Sequence, residues 1–126
     1  MRVKEIMNKA IAVDDDISIK QAARIMSNKN IGSLIVMNGK KIAGILTERD
    51  ILKNLDRGLD GKIDKIISRN VIYIEPDDTL DDAAKIMAQK KIKRLPVLEK
   101  NMLIGMITMT DLIAHSDELN EEFLLD

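Results

Sequence analysis

The chain contains no cysteine and no tryptophan, and its 126 residues include one tyrosine, one phenylalanine, one histidine and two prolines. Each shortage excludes something. Without cysteine there are neither disulfides nor thiolate metal ligands. A lone His115 forms no histidine cluster for a metal. With Tyr73 and Phe123 as the only aromatic side chains, single-stranded nucleic acid finds no stacking platform, and the core must be built from Ile, Leu, Val, Met and Ala. An excess of one charge is lacking too: 20 basic residues face 21 acidic ones, a net of -1. That balance gives no general attraction to nucleic acid or anionic membrane. No apolar run approaches the ~18 residues of a membrane span. The start, Met1-Arg2-Val3-Lys4-Glu5, lacks the apolar stretch of a signal peptide, so a cytoplasmic location is the expectation.

What is present is a duplication. Shifted by 61 residues, the chain aligns to itself, with about twelve of some forty positions identical. Asp16 meets Asp77, Ala22-Ala23 meet Ala83-Ala84, and Ile25-Met26 meet Ile86-Met87. Gly44, Thr47 and Asp50 meet Gly105, Thr108 and Asp111. One copy of about 60 residues would be marginal alone, so two are expected to fold as one module: copy one with its linker over 1–61, copy two with its tail over 62–126. Glycines and charges in 56–62 mark the clearest break.

Each copy reads strand, helix, strand, strand, helix, an α/β (α+β) pattern. The first strand is Ile11–Val13 or Val71–Ile74, followed by an acidic turn. A helix then starts at Ser18 or Thr79, with Gln21 or Asp82 completing a capping box. Its apolar face, Ile19, Ala22, Ala23, Ile25 and Met26, recurs as Leu80, Ala83, Ala84, Ile86 and Met87 at helical spacing. The next two strands form a hairpin. In copy one Leu34–Met37 and Lys41–Leu46 turn through Asn38-Gly39, a tight-turn signal. In copy two Leu95–Leu98 and Leu103–Ile107 turn through Glu99-Lys100-Asn101.

The candidate chemistry lies where the last strand meets the last helix. Gly44-Ile45-Leu46-Thr47-Glu48-Arg49-Asp50 and Gly105-Met106-Ile107-Thr108-Met109-Thr110-Asp111 share the pattern Gly-apolar-apolar-Thr-x-x-Asp. A helix N-terminus attracts phosphate, a Thr hydroxyl there can donate to it, an Asp one turn in can accept both hydroxyls of a ribose, and Gly permits close approach. Thr-x-x-Asp is equally a capping box, and capping alone would explain both residues.

Residues 3 to 114 resemble a pair of cystathionine-β-synthase-type (CBS) domains. The resemblance is carried by Val3-Lys4-Glu5-Ile6-Met7 and Asp64-Lys65-Ile66-Ile67, by 75–84, by Ile92-Lys93-Arg94-Leu95-Pro96-Val97, and by the two junctions. It implies two β-α-β-β-α repeats packed through their sheets with pseudo-twofold symmetry. It also implies a regulatory, non-enzymatic module that binds AMP, ADP, ATP or S-adenosylmethionine in clefts between the repeats and signals to a partner protein in trans. No resident cofactor or metal is implied. Asp50 and Asp111 would hold ribose hydroxyls, and Thr47 and Thr108 would touch phosphate or its replacement. Arg49 and Arg94 are candidate phosphate partners, with neutral Thr110 standing where copy one has Arg49. Adenine would lie among Ile11, Val13 and Ser33 in copy one and Ile72, Leu95 and Pro96 in copy two. The copies are unequal, since Ile35 faces Pro96 and Arg49 faces Thr110 across the alignment, so different affinities are expected.

Other features read more plainly. Asp14-Asp15-Asp16 is a solvated turn preceding a helix. His115 is ordinary surface, and 116–126, with Leu119 and Phe123 four apart, a short helix or frayed end. A homodimer is expected, using Ile51, Leu52, Leu55, Leu112 and Ile113. The rival to ligand sensing is a ligand-independent dimerisation or interaction scaffold. An enzyme ranks last, because no nucleophile–base pair has plausible spacing.

Overall fold

The computed structural model describes residues 1–118; Leu119 and Phe123 of the expected tail helix lie outside them. The helices are α1 (Val3–Ile6), α2 (Ile19–Lys29), α3 (Glu48–Lys53), α4 (Leu80–Lys90) and α5 (Met109–Ala114). The strands are β1 (Ala12–Asp14), β2 (Ser33–Asn38), β3 (Lys41–Thr47), β4 (Arg94–Glu99) and β5 (Met102–Thr108). Two compact units result, and their limits differ from the repeat register. The first is Ile11–Val71; the second joins Met1–Ala10 to the chain from Ile72. The segment leading into copy one therefore packs with copy two, and the segment leading into copy two packs with copy one.

In the first unit β1 runs parallel to β2, and β2 antiparallel to β3. Ser18 caps α2 as its spacing predicts: the Gln21 N–H donates to Ser18 Oγ at 3.0 Å, and the Ser18 N–H donates to Gln21 Oε1 at 2.9 Å. Asn30 closes the helix in the left-handed region at φ 53°. Ile19, Ala22 and Met26 project from α2 into a core with Leu34, Val36 and Leu46 of the sheet and Ile63 and Ile66 of the trailing segment. Gly39, with φ 63°, supplies the hairpin turn.

The second unit repeats this plan. Thr79 and Asp82 form the cap of α4, and Leu80, Ala83 and Met87 face Leu95, Val97, Ile107, Leu112 and Ile74. Val3 of α1 fills the place that Ile63 holds in the first unit. The leading segments dock alike. The Val3 N–H donates to the Asp78 carbonyl at 2.8 Å, as the Ile63 N–H does to Ile17 at 3.0 Å. Asn8 and Met106 exchange two backbone hydrogen bonds, as Ser68 and Ile45 do.

One expected element is missing. Val71–Ile74 forms no strand; a single parallel bridge joins Ile74 to Val97. The reason lies across the alignment. Ile35 pairs with Ala12 in the first unit, and its counterpart Pro96 has no N–H to give. The Ile74 N–H still donates to the Pro96 carbonyl at 3.0 Å, and the Leu98 N–H to the Ile74 carbonyl at 2.9 Å. Beyond them the Asp15 N–H, which donates to the Met37 carbonyl in the first unit, has its counterpart in Pro76, again without an N–H.

Candidate functional site

Both Thr-x-x-Asp junctions fold as complete capping boxes. The Thr47 N–H donates to Asp50 Oδ2 at 2.8 Å, and the Asp50 N–H donates to Thr47 Oγ1 at 3.2 Å. In copy two the Thr108 N–H donates to Asp111 Oδ2 at 2.8 Å and the Asp111 N–H to Thr108 Oγ1 at 3.2 Å. The extended residue at the end of β3 or β5 becomes the N-cap of the next helix, which holds each carboxylate at the sheet end, half-buried. A carboxylate offers about four acceptor positions, so capping leaves capacity for further donors.

Each junction is braced one turn on. Asn54 Nδ2 donates to the Asp50 carbonyl at 2.7 Å, and His115 Nδ1 lies 3.1 Å from the Asp111 carbonyl. A carbonyl only accepts, so that ring nitrogen is the donor. His115 is therefore a half-buried helix brace, not the ordinary surface residue expected from its place past the motif.

The motif glycines serve the chain itself. A Cβ on Gly44 would clash with the Ser68 carbonyl oxygen. One on Gly105 would sit 2.8 Å from Met7 Sδ and 3.0 Å from the Asn8 carbonyl oxygen. The close approach that glycine permits here is that of the docking segment.

The hairpin registers bring part of the candidate set together. Ser33 pairs with Thr47, and Arg94 with Thr108. In the first unit Val13, on β1, pairs with Val36, and Ile11 and Val13 lean on the core from its margin. Ile72 leans likewise on the second core. Leu95 lies fully inside that core and Pro96 is buried, so Leu95 can offer a ligand only its backbone. Arg94 is half-buried, its Nη1 3.8 Å from Met106 Sδ. Arg49 and Thr110 are exposed on the first turns of α3 and α5.

Sequence reasoning missed Asn8. Its Nδ2 donates to Asp111 Oδ1 at 2.8 Å, opposite the oxygen used by the cap. Its counterpart beside β3 is Ser68, and no local pattern in the chain links Asn8 to Asp111. Among the acidic turn residues, Asp15 Oδ2 accepts from Asn38 Nδ2 at 3.0 Å, tying the turn to the hairpin. No group of three His, Cys, Asp or Glu among the described residues is placed to hold a metal ion.

Of the expected dimer residues, Leu52 and Ile113 are 66% and 64% exposed, and Leu55 is exposed as well. Leu112 is not available, being 3% exposed within the second core. Ile51 is half-buried and, with Leu52, Ala23, Met26 and Ile31, lines an open groove between α2 and α3. No helix among the described residues is long and apolar enough to cross a membrane.

Residues 3–57 and 63–118 match the family model of the CBS domain. The CBS domain-containing protein YhcV of Bacillus subtilis (strain 168) is 34% identical over 117 residues, covering 90% of this chain and 84% of that protein. A homoserine O-acetyltransferase of Methanohalobium evestigatum is 37% identical over 124 residues, yet the match spans 24% of that enzyme. Among solved structures, the CBS domain pair of protein MJ0100, in complex with 5′-methylthioadenosine and S-adenosyl-L-methionine, has a TM-score of 0.77 and 31% identity. It covers 93% of this chain and 96% of its own. CBSX2 in complex with AMP has a TM-score of 0.80 at 20% identity, covering 91% of this chain and 95% of its own, a likeness of fold.

Proposed function

Because this chain belongs to the CBS domain family, as a tandem pair, we propose that it is a regulatory module. It binds an adenine-containing ligand of the AMP, ADP, ATP or S-adenosylmethionine class at its two Thr-x-x-Asp junctions and reports occupancy to a partner protein. The observation that carries this reading is the MJ0100 CBS pair, 31% identical and covering 93% of this chain, which was solved with two adenosine compounds. The twinned half-buried carboxylates support it, since each keeps acceptor capacity beyond its cap. In this reading Asp50 and Asp111 take the ribose hydroxyls. Thr47, Thr108, Arg49 and Arg94 face phosphate or the group replacing it, where a planar guanidinium suits phosphate oxygens. The module is not itself an enzyme, needs no resident cofactor and acts in the cytoplasm. It works as a homodimer, with Leu52, Leu55 and Ile113 in the contact; sedimentation showing only monomer at micromolar concentration removes that part.

Thermal melts with AMP, ATP and S-adenosylmethionine test the ligand claim. A ligand at one hundred times its dissociation constant stabilises the fold by ~2.7 kcal/mol. The midpoint is expected to rise with at least one of them and to respond less when Asp50→Ala and Asp111→Ala are combined. A midpoint indifferent to all three sinks the claim.

The complete capping boxes favour one rival, a ligand-independent interaction scaffold in which Asp50 and Asp111 only start helices. Partner capture that is unchanged by nucleotide would support the scaffold; capture that depends on nucleotide supports the sensor.

A further inference from the structure

We infer that Asn8 partly occupies the second carboxylate, so that the junction at Asp50 takes an adenosine diol more tightly than the junction at Asp111. The inference rests on the ligand-binding reading above and adds which site fills first and why.

The geometry is local to each unit. Asp111 Oδ2 already accepts from the Thr108 N–H at 2.8 Å and from the Thr108 hydroxyl at 2.9 Å, while Oδ1 accepts from Asn8 Nδ2 at 2.8 Å. Of about four acceptor positions on a carboxylate, three are then engaged. Asp50 accepts from the Thr47 N–H at 2.8 Å, without the further hydroxyl contact that Thr108 makes to Asp111, and the residue beside it in the Asn8 position is Ser68. A serine side chain carries no amide and is one bond shorter, and Ser68 makes no hydrogen bond to Asp50 corresponding to the Asn8 contact.

Asn8 is not needed to orient the carboxylate. Asp50 holds the same capping geometry without such a partner, so what the amide adds is occupancy. The Asn8 backbone is fixed by two hydrogen bonds to Met106, of 2.8 and 2.9 Å, which keeps its amide within reach of Asp111. A diol approaching Asp111 must therefore displace a donor that is already in place or accept a single free oxygen position. Replacing one hydrogen bond by another returns little net free energy, whereas a diol meeting Asp50 gains contacts with open acceptors. The contact is solvent-exposed, so the difference is modest, about three- to tenfold in dissociation constant.

The test uses adenosine, which carries the diol and no phosphate, so that Arg49 and Arg94 do not bias the comparison. Titration followed by the backbone amide signals of Thr47 and Thr108 reads the two junctions separately in the intact chain. In the wild type the Thr47 signal is expected to respond at about three- to tenfold lower adenosine than the Thr108 signal. Asn8→Ser, which gives copy two the residue of copy one, is expected to close that gap by tightening the Thr108 response alone. The gain should vanish with 2′,3′-dideoxyadenosine, which a merely structural effect of the substitution would not do. Binding in which N8S leaves the Thr108 response unchanged, or weakens it, overturns the role of Asn8 and leaves the ligand reading standing. No response to adenosine in either the wild type or N8S overturns both.

Discussion

Copy one and copy two start from the same pattern and reach the same order of elements, yet they differ at three places that a listing of shared motifs would pass over. The first is the opening strand. In copy one it is a three-residue strand paired with β2; in copy two it shrinks to one bridge, because Pro96 replaces Ile35 and Pro76 replaces Asp15, each withdrawing a donor. The second is the cap of the long helix, neutral in Ser18–Gln21 and ionisable in Thr79–Asp82. The third is the neighbour of the junction carboxylate, Ser68 in one unit and Asn8 in the other. Together they show a duplicated fold conserving its apolar frame while its polar details drift apart, and the polar details are what a ligand meets.

The frame should prove symmetric under the largest perturbation. Leu34 and Leu95 are aligned and both essentially without exposed surface. Leu34→Ala and Leu95→Ala are each expected to cost about 2–5 kcal/mol, read from denaturant melts. A difference of more than about 2 kcal/mol between them would mean that the two cores are not equivalent.

The motif glycines should break the symmetry next. Gly44→Ala drives a methyl into a backbone carbonyl, whereas Gly105→Ala first meets the flexible thioether of Met7. Overpacking costs about 1–3 kcal/mol, and Gly44→Ala is expected near the top of that range with Gly105→Ala near the bottom. The reverse order in thermal melts would contradict the docking geometry of the two segments.

A smaller, local effect is expected at the shortened strand. Pro96→Ile restores the missing N–H, so the amide at position 96 should exchange about as slowly as that of its counterpart Ile35. Fast exchange at that amide would show that proline is not what cuts the ladder.

The smallest effect distinguishes the caps. The Thr79 backbone N–H, and after it the Thr79 hydroxyl, hold the Asp82 carboxyl below the ordinary Asp value. A carboxylate with a lowered folded-state value stabilises the fold above its unfolded value, about 3.9, and loses that contribution as pH falls through the folded one. Stability should therefore decline below about pH 4 in part through α4, and Asp82→Asn should flatten that part of the acid profile. The Ser18–Gln21 box carries no titrating side chain, and Gln21→Glu should introduce there the dependence that Asp82→Asn removes.

Much of this was legible in the chain. Helical spacing located α2 and α4, Asn38-Gly39 located a turn, and the paired Thr-x-x-Asp motifs located both junctions, because each signal lies within a few consecutive residues. Asn8 stayed hidden for the opposite reason: it touches a residue 103 positions away, and no local pattern links the two. Leu112 was misplaced because a helix of six residues offers too little periodicity to tell its buried face from its exposed one.

The sequence by itself determined that there are two copies, which face of each long helix enters its core, and where α2 to α5 are capped, since burial pattern and capping act between near neighbours. Only the tertiary structure decided which leading segment belongs to which copy. That choice is made by backbone pairing of Asn8 with Met106 and of Ser68 with Ile45, contacts that peptide groups of any residue but proline can make and that side-chain patterns do not encode. It is also the choice that brings Asn8 to Asp111, and so sets apart two junctions that look alike on paper.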